Sequence, residues 1–170
     1  MGAVFRFLPL LALPIIIYNL MALFFVGTGA HARSVDQASM AASAALEAGL
    51  PAPVVLSPMI ERLTAAAFEI PMVSGAVWTV SSGDLILLLG LFCLFLEIVK
   101  SANTGAATIL NHSISMLLFV GCLIQFLLLD NFATSVFFLL VVMTLLDTLA
   151  GVIVTIMAAR RDIDVAGYGD

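Results

Sequence analysis

The chain has 170 residues, of which 63% are hydrophobic and 10% are charged, with a net charge of −5 and a mean hydropathy of +1.22. A soluble domain of this size has too much surface to hide so many apolar side chains, so the composition excludes a soluble globular protein and predicts an integral membrane protein. The acidic charge balance provides neither a basic patch for nucleic acid nor a polybasic segment for anionic lipid.

The first predicted membrane span is Leu8 to Val26, which follows Arg6. Pro14 is expected to bend this helix, because proline removes a backbone hydrogen bond. Tyr18 and Asn19 are the polar residues inside the span, and we expect them to face other helices. The span is either a retained anchor or a cleaved signal. Its apolar stretch is longer than that of a typical signal, which favours an anchor.

Residues 28–82 form the sizeable region predicted outside the membrane. A capping box of Ser34 and Gln37 predicts a helix over about Val35 to Ala48. Pro58 at a first helical position predicts a second helix that ends before Pro71. One side of this second helix is apolar, so it rests either on the membrane surface or on the helix bundle. The region is either an ordered connector or a docking surface for a partner.

The second predicted span is Leu85 to Val99, which begins after Ser81 and Asp84. An acid at a helix N-terminus is favourable because it opposes the positive end of the helix dipole. Near the other end, Glu97 and Lys100 are three residues apart, and we interpret them as an ion pair that snorkels to the membrane interface.

The third predicted span is Ala107 to Leu129. Helical periodicity gathers four of its polar or small side chains into one inward stripe: Asn111, Ser115, Cys122 and Gln125. His112 points about 100° away from Asn111 and is expected to face a different neighbour. It either titrates or bonds to a backbone carbonyl.

The two cysteines, Cys93 and Cys122, lie in different spans and at different predicted depths. A disulfide requires the two Cα atoms to lie within about 7 Å of each other. We therefore predict two free, buried thiols.

The last predicted span is Phe132 to Ala158, which follows a tight turn at Asp130-Asn131. At about 100° per residue, its polar and small side chains fall on one face. These side chains are Thr144, Asp147, Thr148, Gly151 and Thr155. Small residues allow helices to approach closely, and hydroxyls bond across the contact. We therefore expect this face to meet protein and the opposite face to meet lipid.

Asp147 lies roughly 16 Å from the cytoplasmic end of that helix. A lone carboxylate at such a depth costs about 3 kcal/mol on insertion scales. Three interpretations remain open. The acid is protonated and locks helices together, it is a functional proton or ion site, or it contacts a helix of a partner protein.

The basic residues indicate the orientation of the chain. With the N-terminus inside, Arg6, Lys100, Arg160 and Arg161 are cytoplasmic, whereas Arg33 and Arg62 are outside. We expect a bacterial inner membrane protein with both termini in the cytoplasm. The predicted fold class is all-α: a polytopic membrane protein with four transmembrane helices and a mostly helical extracytoplasmic loop between the first and second.

The predicted divisions are an anchor (1–27), an extracytoplasmic region with two short helices (28–82), a three-helix transmembrane hairpin array (83–161) and a cytoplasmic tail (162–170). The chain contains no zinc-ligand spacing, no phosphate-binding glycine loop and no nucleophile elbow, so we predict a protein that is not an enzyme and has no catalytic residue, metal or cofactor.

The favoured function is a small accessory or assembly subunit of a larger membrane complex. Besides the lipid bilayer, its expected partner is a membrane protein or a second copy of itself. The alternative is a component of proton- or ion-coupled transport. Glu97, His112 and Asp147 would then form a relay at depths of about 4, 8 and 16 Å. The full set of intramembrane polar candidates is Asp147, His112, Glu97, Lys100, Gln125, Asn111, Thr144 and Thr148.

Overall fold

The computed structural model describes residues 8–26, 30–51, 57–101 and 106–166. Its helices are α1 (Ala12–Val26), α2 (Ala30–Glu47), α3 (Pro58–Thr64), α4 (Ser82–Ser101), α5 (Ala106–Leu128) and α6 (Ser135–Ala166), its strands are β1 (Ala66–Pro71) and β2 (Val77–Ser81), and a 3-10 turn covers Asp130–Phe132. The protein is therefore mostly helical. Arg6, the junction at 27–29 and the last four residues lie outside the described residues.

Three helices are long and apolar enough to cross a membrane, over Ser82–Lys100, Leu110–Leu128 and Ser135–Val154. They correspond to the second, third and fourth predicted spans. The first predicted span corresponds to α1, which is apolar but has only 15 residues. A multi-pass membrane protein is therefore supported, and the first of the four predicted spans remains a prediction.

The reason for expecting a bend at Pro14 does not hold. Helix α1 begins at Ala12, so Pro14 lies in its first turn. Backbone amides in the first turn of a helix have no partner within the helix, and proline there removes no hydrogen bond. Pro14 therefore lies at a position that is compatible with the start of α1.

Helix α2 begins earlier than the capping box predicted. It runs over Ala30–Glu47, so position 34 lies inside the helix and not at its start. The helix ends in a turn at Gly49, whose φ of +67° is the left-handed conformation that glycine adopts without strain.

The segment that follows α3 is a β-hairpin, which corrects both the all-α prediction and the expected length of the second short helix. Helix α3 ends at Thr64, whereas we expected it to continue to about Ile70. Strands β1 and β2 pair in antiparallel fashion, with Ile70 opposite Trp78. A tight turn at Gly75, with φ +84°, joins the two strands. The valine, tryptophan and threonine of β2 favour a strand.

Helix α3 packs on the transmembrane bundle and is not a separate unit. Ser57 caps it by accepting a hydrogen bond from the backbone amide of Ile60 at 3.3 Å, as the sequence predicted. Met59 and Leu63 are buried and join the hydrophobic core of the bundle. Of the two expected positions for this helix, the structure shows the one on the bundle.

Helix α4 starts at a capping box. The backbone amide of Ser81 donates to the Asp84 carboxylate at 2.9 Å, and the Ser81 hydroxyl accepts from the Asp84 amide at 3.2 Å. These two bonds satisfy backbone groups that a helix start leaves without partners. The predicted start of this span at Ser81 and Asp84 is confirmed.

Helix α6 packs along both α4 and α5. It runs parallel to α4, because Gly83 of α4 faces Val136 and Gly90 faces Leu140. A Cβ atom at Gly90 would lie 2.9 Å from a Leu140 methyl carbon, so the two helices approach closely there. Helix α5 runs antiparallel to α6. The end of α5 lies beside the start of α6, where the Phe126 ring is 5.5 Å from that of Phe138.

The two faces of α6 have the predicted environments. Thr144 and Asp147 are both 1% exposed and face the other helices. On the opposite side Leu149, Val152 and Ile153 are about half exposed and would meet lipid. The helix therefore turns its acid-bearing face toward protein.

Candidate functional site

All of the polar candidates except Gln125 gather in one layer where α4, α5 and α6 meet. Gly90 of α4 is level with residues 140–143 of α6. Both helices rise by about 1.5 Å per residue, so Glu97 is level with the turn of α6 that contains Asp147. The expected difference in depth between Glu97 and Asp147 is therefore wrong, because it was measured from span ends that the sequence did not define.

One half of the layer is a network around Glu97. This carboxylate is completely buried and lies 3.1 Å from the Lys100 ammonium. It also accepts hydrogen bonds from the Asn111 side-chain amide and from the backbone amide of Leu10 at 2.9 Å. Lys100 in turn donates to the Asn111 carbonyl oxygen at 3.0 Å and to the Leu8 carbonyl at 2.9 Å.

This network corrects the interpretation of Glu97 and Lys100 as a snorkelling pair. The ion pair exists, but its carboxylate is fully enclosed and only Lys100 is partly exposed. Glu97 binds a backbone amide just before α1, and Lys100 binds a carbonyl in the same segment. The pair therefore holds the start of α1 against α4 and α5. Sequence reasoning missed this role, because the partner atoms belong to the backbone about ninety residues earlier.

The other half of the layer is a cluster without hydrogen bonds. Asp147, Ser115 and His112 are 1%, 1% and 8% exposed, respectively. Among the described residues, no partner bonds to either Asp147 carboxyl oxygen, to the Ser115 hydroxyl or to either His112 ring nitrogen. The Ser115 hydroxyl faces the Asp147 carboxyl group, but the two side chains do not meet in hydrogen-bonding geometry. Ser115 was part of the predicted polar stripe and was not among the predicted site residues.

His112 packs directly on the backbone of α6 at Gly151. A Cβ atom at Gly151 would lie 2.1 Å from the His112 Nδ1 atom. Only glycine leaves room for the ring there, since any side chain would overlap it. His112 thus faces α6 while Asn111 faces α4, and the predicted difference in direction between these two residues is confirmed.

The threonines of α6 do not bond across to other helices, which corrects their expected use. The Thr144 hydroxyl donates to the Val141 carbonyl at 2.7 Å, and the Thr148 hydroxyl donates to the Thr144 carbonyl at 2.9 Å. Both bonds are within α6, as is common for hydroxyls on helices. The threonines therefore line the cluster without satisfying Asp147.

Gln125 lies apart from the other candidates. Its side-chain amide donates to the Asn19 carbonyl oxygen at 2.8 Å, which links α5 to α1. Gln125 and Asn19 line a groove of about 740 Å³ between these two helices. The predicted polar stripe of α5 is therefore divided between two places, with Asn111 and Ser115 in the layer and Gln125 at the groove.

Comparison of this chain with protein-family models, with curated proteins and with solved structures gives no match.

The two halves of the layer differ in whether their polar groups already have ionic or hydrogen-bond partners. In the Glu97 half, both charges are neutralised and each is bonded to further groups. In the Asp147 half, a carboxyl group, a hydroxyl and an imidazole retain their capacity to donate and accept. Within the described ranges, no group of three His, Cys, Asp or Glu side chains is arranged to hold a metal ion.

The two cysteines are free and buried, as predicted. Tyr18 also faces the bundle as predicted, and its hydroxyl lies 2.6 Å from the Thr134 hydroxyl. Its ring packs on Phe137, with 4.7 Å between ring centroids. No sequence pattern indicated these partners of Tyr18, because Thr134 lies 116 residues further along the chain.

Proposed function

We propose that this protein is a small, non-catalytic accessory or assembly subunit of a larger membrane complex, and that it resides in a bacterial inner membrane with both termini in the cytoplasm. The groove between α1 and α5 is the observation that carries this proposal. Its occupant would be a membrane-spanning helix of a partner protein.

The groove is apolar, open and at the level of the membrane-embedded helices. Its walls include the exposed side chains Leu23 of α1 and Leu117 of α5. At Gly121 a Cβ atom would meet nothing within 4 Å. Glycine on a helix face within a membrane allows another helix backbone to approach closely. The space beside Gly121 is therefore available to a partner.

Polar groups in the groove favour a protein partner over lipid. The Asn19–Gln125 amide pair lines the groove and is only partly buried. Asn131 adds a further polar residue to the lining of the groove. Acyl chains offer no hydrogen-bond donors, whereas a helix carrying a serine, threonine or amide side chain does.

Site-specific photo-crosslinking in cells tests the proposal. A photoreactive residue replaces Leu23 or Leu117 in the groove, and Leu149 or Ile153 on the lipid-facing side of α6 serves as the control position. We expect one discrete protein adduct from the groove positions and only lipid adducts from the controls. A Cβ atom at position 121 meets no described atom within 4 Å, so Gly121→Phe directs a ring into the groove, and it should abolish the adduct and leave the fold intact. Leu149→Phe is the matched control.

Three results would contradict the proposal. Groove positions that yield only lipid adducts would indicate a face that meets the bilayer. An adduct of the chain with a second copy of itself would indicate that the protein is a homo-oligomer and that the groove does not hold a different partner protein. An adduct that persists in Gly121→Phe would show that the partner docks elsewhere.

A second candidate function is proton- or ion-coupled transport through Asp147 and His112. The cluster of buried polar groups without hydrogen bonds favours it, because such groups inside a membrane mark ion pathways. The third predicted relay member, Glu97, is bonded to Leu10, Lys100 and Asn111 instead. The test is flux through reconstituted protein. Asp147→Asn should abolish it, and flux that survives the substitution would end this candidate.

A further inference from the structure

We propose that Asp147 and His112 form a proton-binding site inside the helix bundle, in which the carboxylate and the neutral imidazole together hold one additional proton. This inference deepens the second candidate function by naming the ligand of Asp147. Proton binding at this site requires no flux across the membrane. The flux measurement therefore tests the transport function, and a separate spectroscopic measurement tests the site.

The first argument is the state of the three side chains. Asp147, His112 and Ser115 are all more than nine-tenths buried. Among the described residues, none of their polar side-chain atoms has a hydrogen-bond partner. An ionised carboxylate in such a place loses its hydration and gains nothing in return, and an imidazolium does the same. Each group by itself would therefore be neutral.

The second argument concerns the charges that face Asp147. The charged or titratable groups around Asp147 are Glu97 and Lys100 of α4 and His112 of α5, and Ser115 of α5 is an uncharged polar group beside it. The His112 ring lies against Gly151, one helical turn along α6 from Asp147. Lys100 is a poor counter-ion for Asp147, because its ammonium already donates to Glu97, Asn111 and the Leu8 carbonyl. These three bonds use all the N–H donors of a lysine. His112 is thus the only described group left to neutralise Asp147.

The third argument is the proton balance of the pair. A protonated Asp147 beside a neutral His112 has no net charge. A carboxylate beside an imidazolium has none either, and both forms contain the same number of protons. Removal of that proton leaves one net negative charge in the bundle, and addition of another leaves one net positive charge. Burial disfavours both charged forms, so the buried pair favours the form that holds one additional proton and has no net charge.

A metal ion is a less suitable ligand for this site. Protein metal sites usually provide three or four ligands from His, Cys, Asp or Glu side chains, and the part of the chain that the structure describes contains no such group. The nearby Lys100 ammonium would also repel a cation.

The experiment uses the full chain in lipid vesicles, from about pH 6 to about pH 8. Infrared spectroscopy detects the carbonyl band of a protonated carboxyl group, and nitrogen NMR reports the protonation of the imidazole. The chain has 2 histidines, so His31→Gln leaves only the His112 signal. Asp147→Asn assigns the carboxyl band, and Asp36→Asn, at an exposed acid on α2, is the control.

We expect one additional proton on the pair throughout this range, as either a protonated carboxyl with a neutral imidazole or a carboxylate with an imidazolium. Asp147→Asn should leave a neutral imidazole, and His112→Gln should leave a protonated carboxyl. An ionised Asp147 beside a neutral His112 in the unsubstituted protein would overturn the proposal. Spectra that change when sodium is replaced by choline would also overturn it, in favour of a bound metal cation.

Discussion

At the scale of single residues, Gly151 and His112 determine how closely α5 and α6 approach. The His112 ring occupies the space that a side chain at position 151 would need. The imidazole is held there by packing, since neither ring nitrogen has a hydrogen bond within the described chain. The position of His112 beside α6 therefore depends on the absence of a Cβ atom.

Gly151→Ala should destabilise the protein. The new methyl group would overlap the His112 ring, and such overpacking typically lowers the free energy of unfolding by about 1–3 kcal/mol. Unfolding in detergent measures the change. Gly121→Ala is the control, because nothing lies within 4 Å of a Cβ atom there, and its stability should be unchanged or slightly higher. Equal losses from both substitutions would contradict the close contact of His112 with α6.

Glu97→Gln should also destabilise the protein, because it leaves Lys100 with no carboxylate in a mostly enclosed site. Removal of one partner from a buried ion pair costs about 3–5 kcal/mol, and the partial exposure of Lys100 places this case toward the lower end. A double-mutant cycle with Lys100→Met measures the coupling. Purely additive losses in that cycle would show that the two charges act independently.

At the scale of elements, α1 is attached to the bundle at two levels. Glu97 and Lys100 bind the backbone just before it. Further along, the buried Tyr18 hydroxyl bonds to Thr134 and to the Asn131 carbonyl. The two attachments lie on either side of Pro14, so the first turn of α1 is fixed from both directions.

Tyr18→Phe should loosen the second attachment and retain the ring packing on Phe137. We expect the free energy of unfolding to fall by about 1–3 kcal/mol, because the partner groups lose a buried hydrogen bond. Hydrogen exchange should rise in α1 more than in α6. Thr134→Val should lower the free energy of unfolding less in the Tyr18→Phe background than in the unsubstituted protein. A uniform change in hydrogen exchange across the protein would argue against a local attachment.

Periodicity predicted the faces of the helices well. The buried face of α6 follows from the spacing of Thr144, Asp147, Thr148 and Gly151, because helical geometry fixes which residues share a face. The β-hairpin was missed, because the apolar residues that follow α3 continue a helical spacing into Ala66–Pro71. In that segment the pairing with Val77–Ser81 overrides local preference.

The site was predicted as a set of residues but not as an arrangement. The composition of each span indicated Glu97, Asn111, His112 and Asp147. Which of these side chains bond to each other depends on the register between the helices and on the position of a distant backbone segment. Neither can be inferred from a single sequence. The separation of a satisfied half from an unsatisfied half is therefore visible only in the folded chain.

At the scale of the whole molecule, α6 is the helix against which the others are arranged. It packs on α4 and α5, and its polar face closes the buried layer from one side. Glu97 and Lys100 neutralise each other within that layer. The enclosure of Asp147 depends on the packing of α6 against α5. The central claim is that the chain by itself encloses this acid, without a partner protein.

Solid-state NMR of the full chain in bilayers tests that claim most directly. With labelled aspartate, histidine and serine, comparison with Asp147→Asn assigns the Asp147 carboxyl carbon. We predict correlations of this carbon with the His112 ring and the Ser115 side chain, and none with lipid acyl chains. Correlations with acyl chains, together with none to α5, would contradict the claim and place the acid on the outer surface of the bundle.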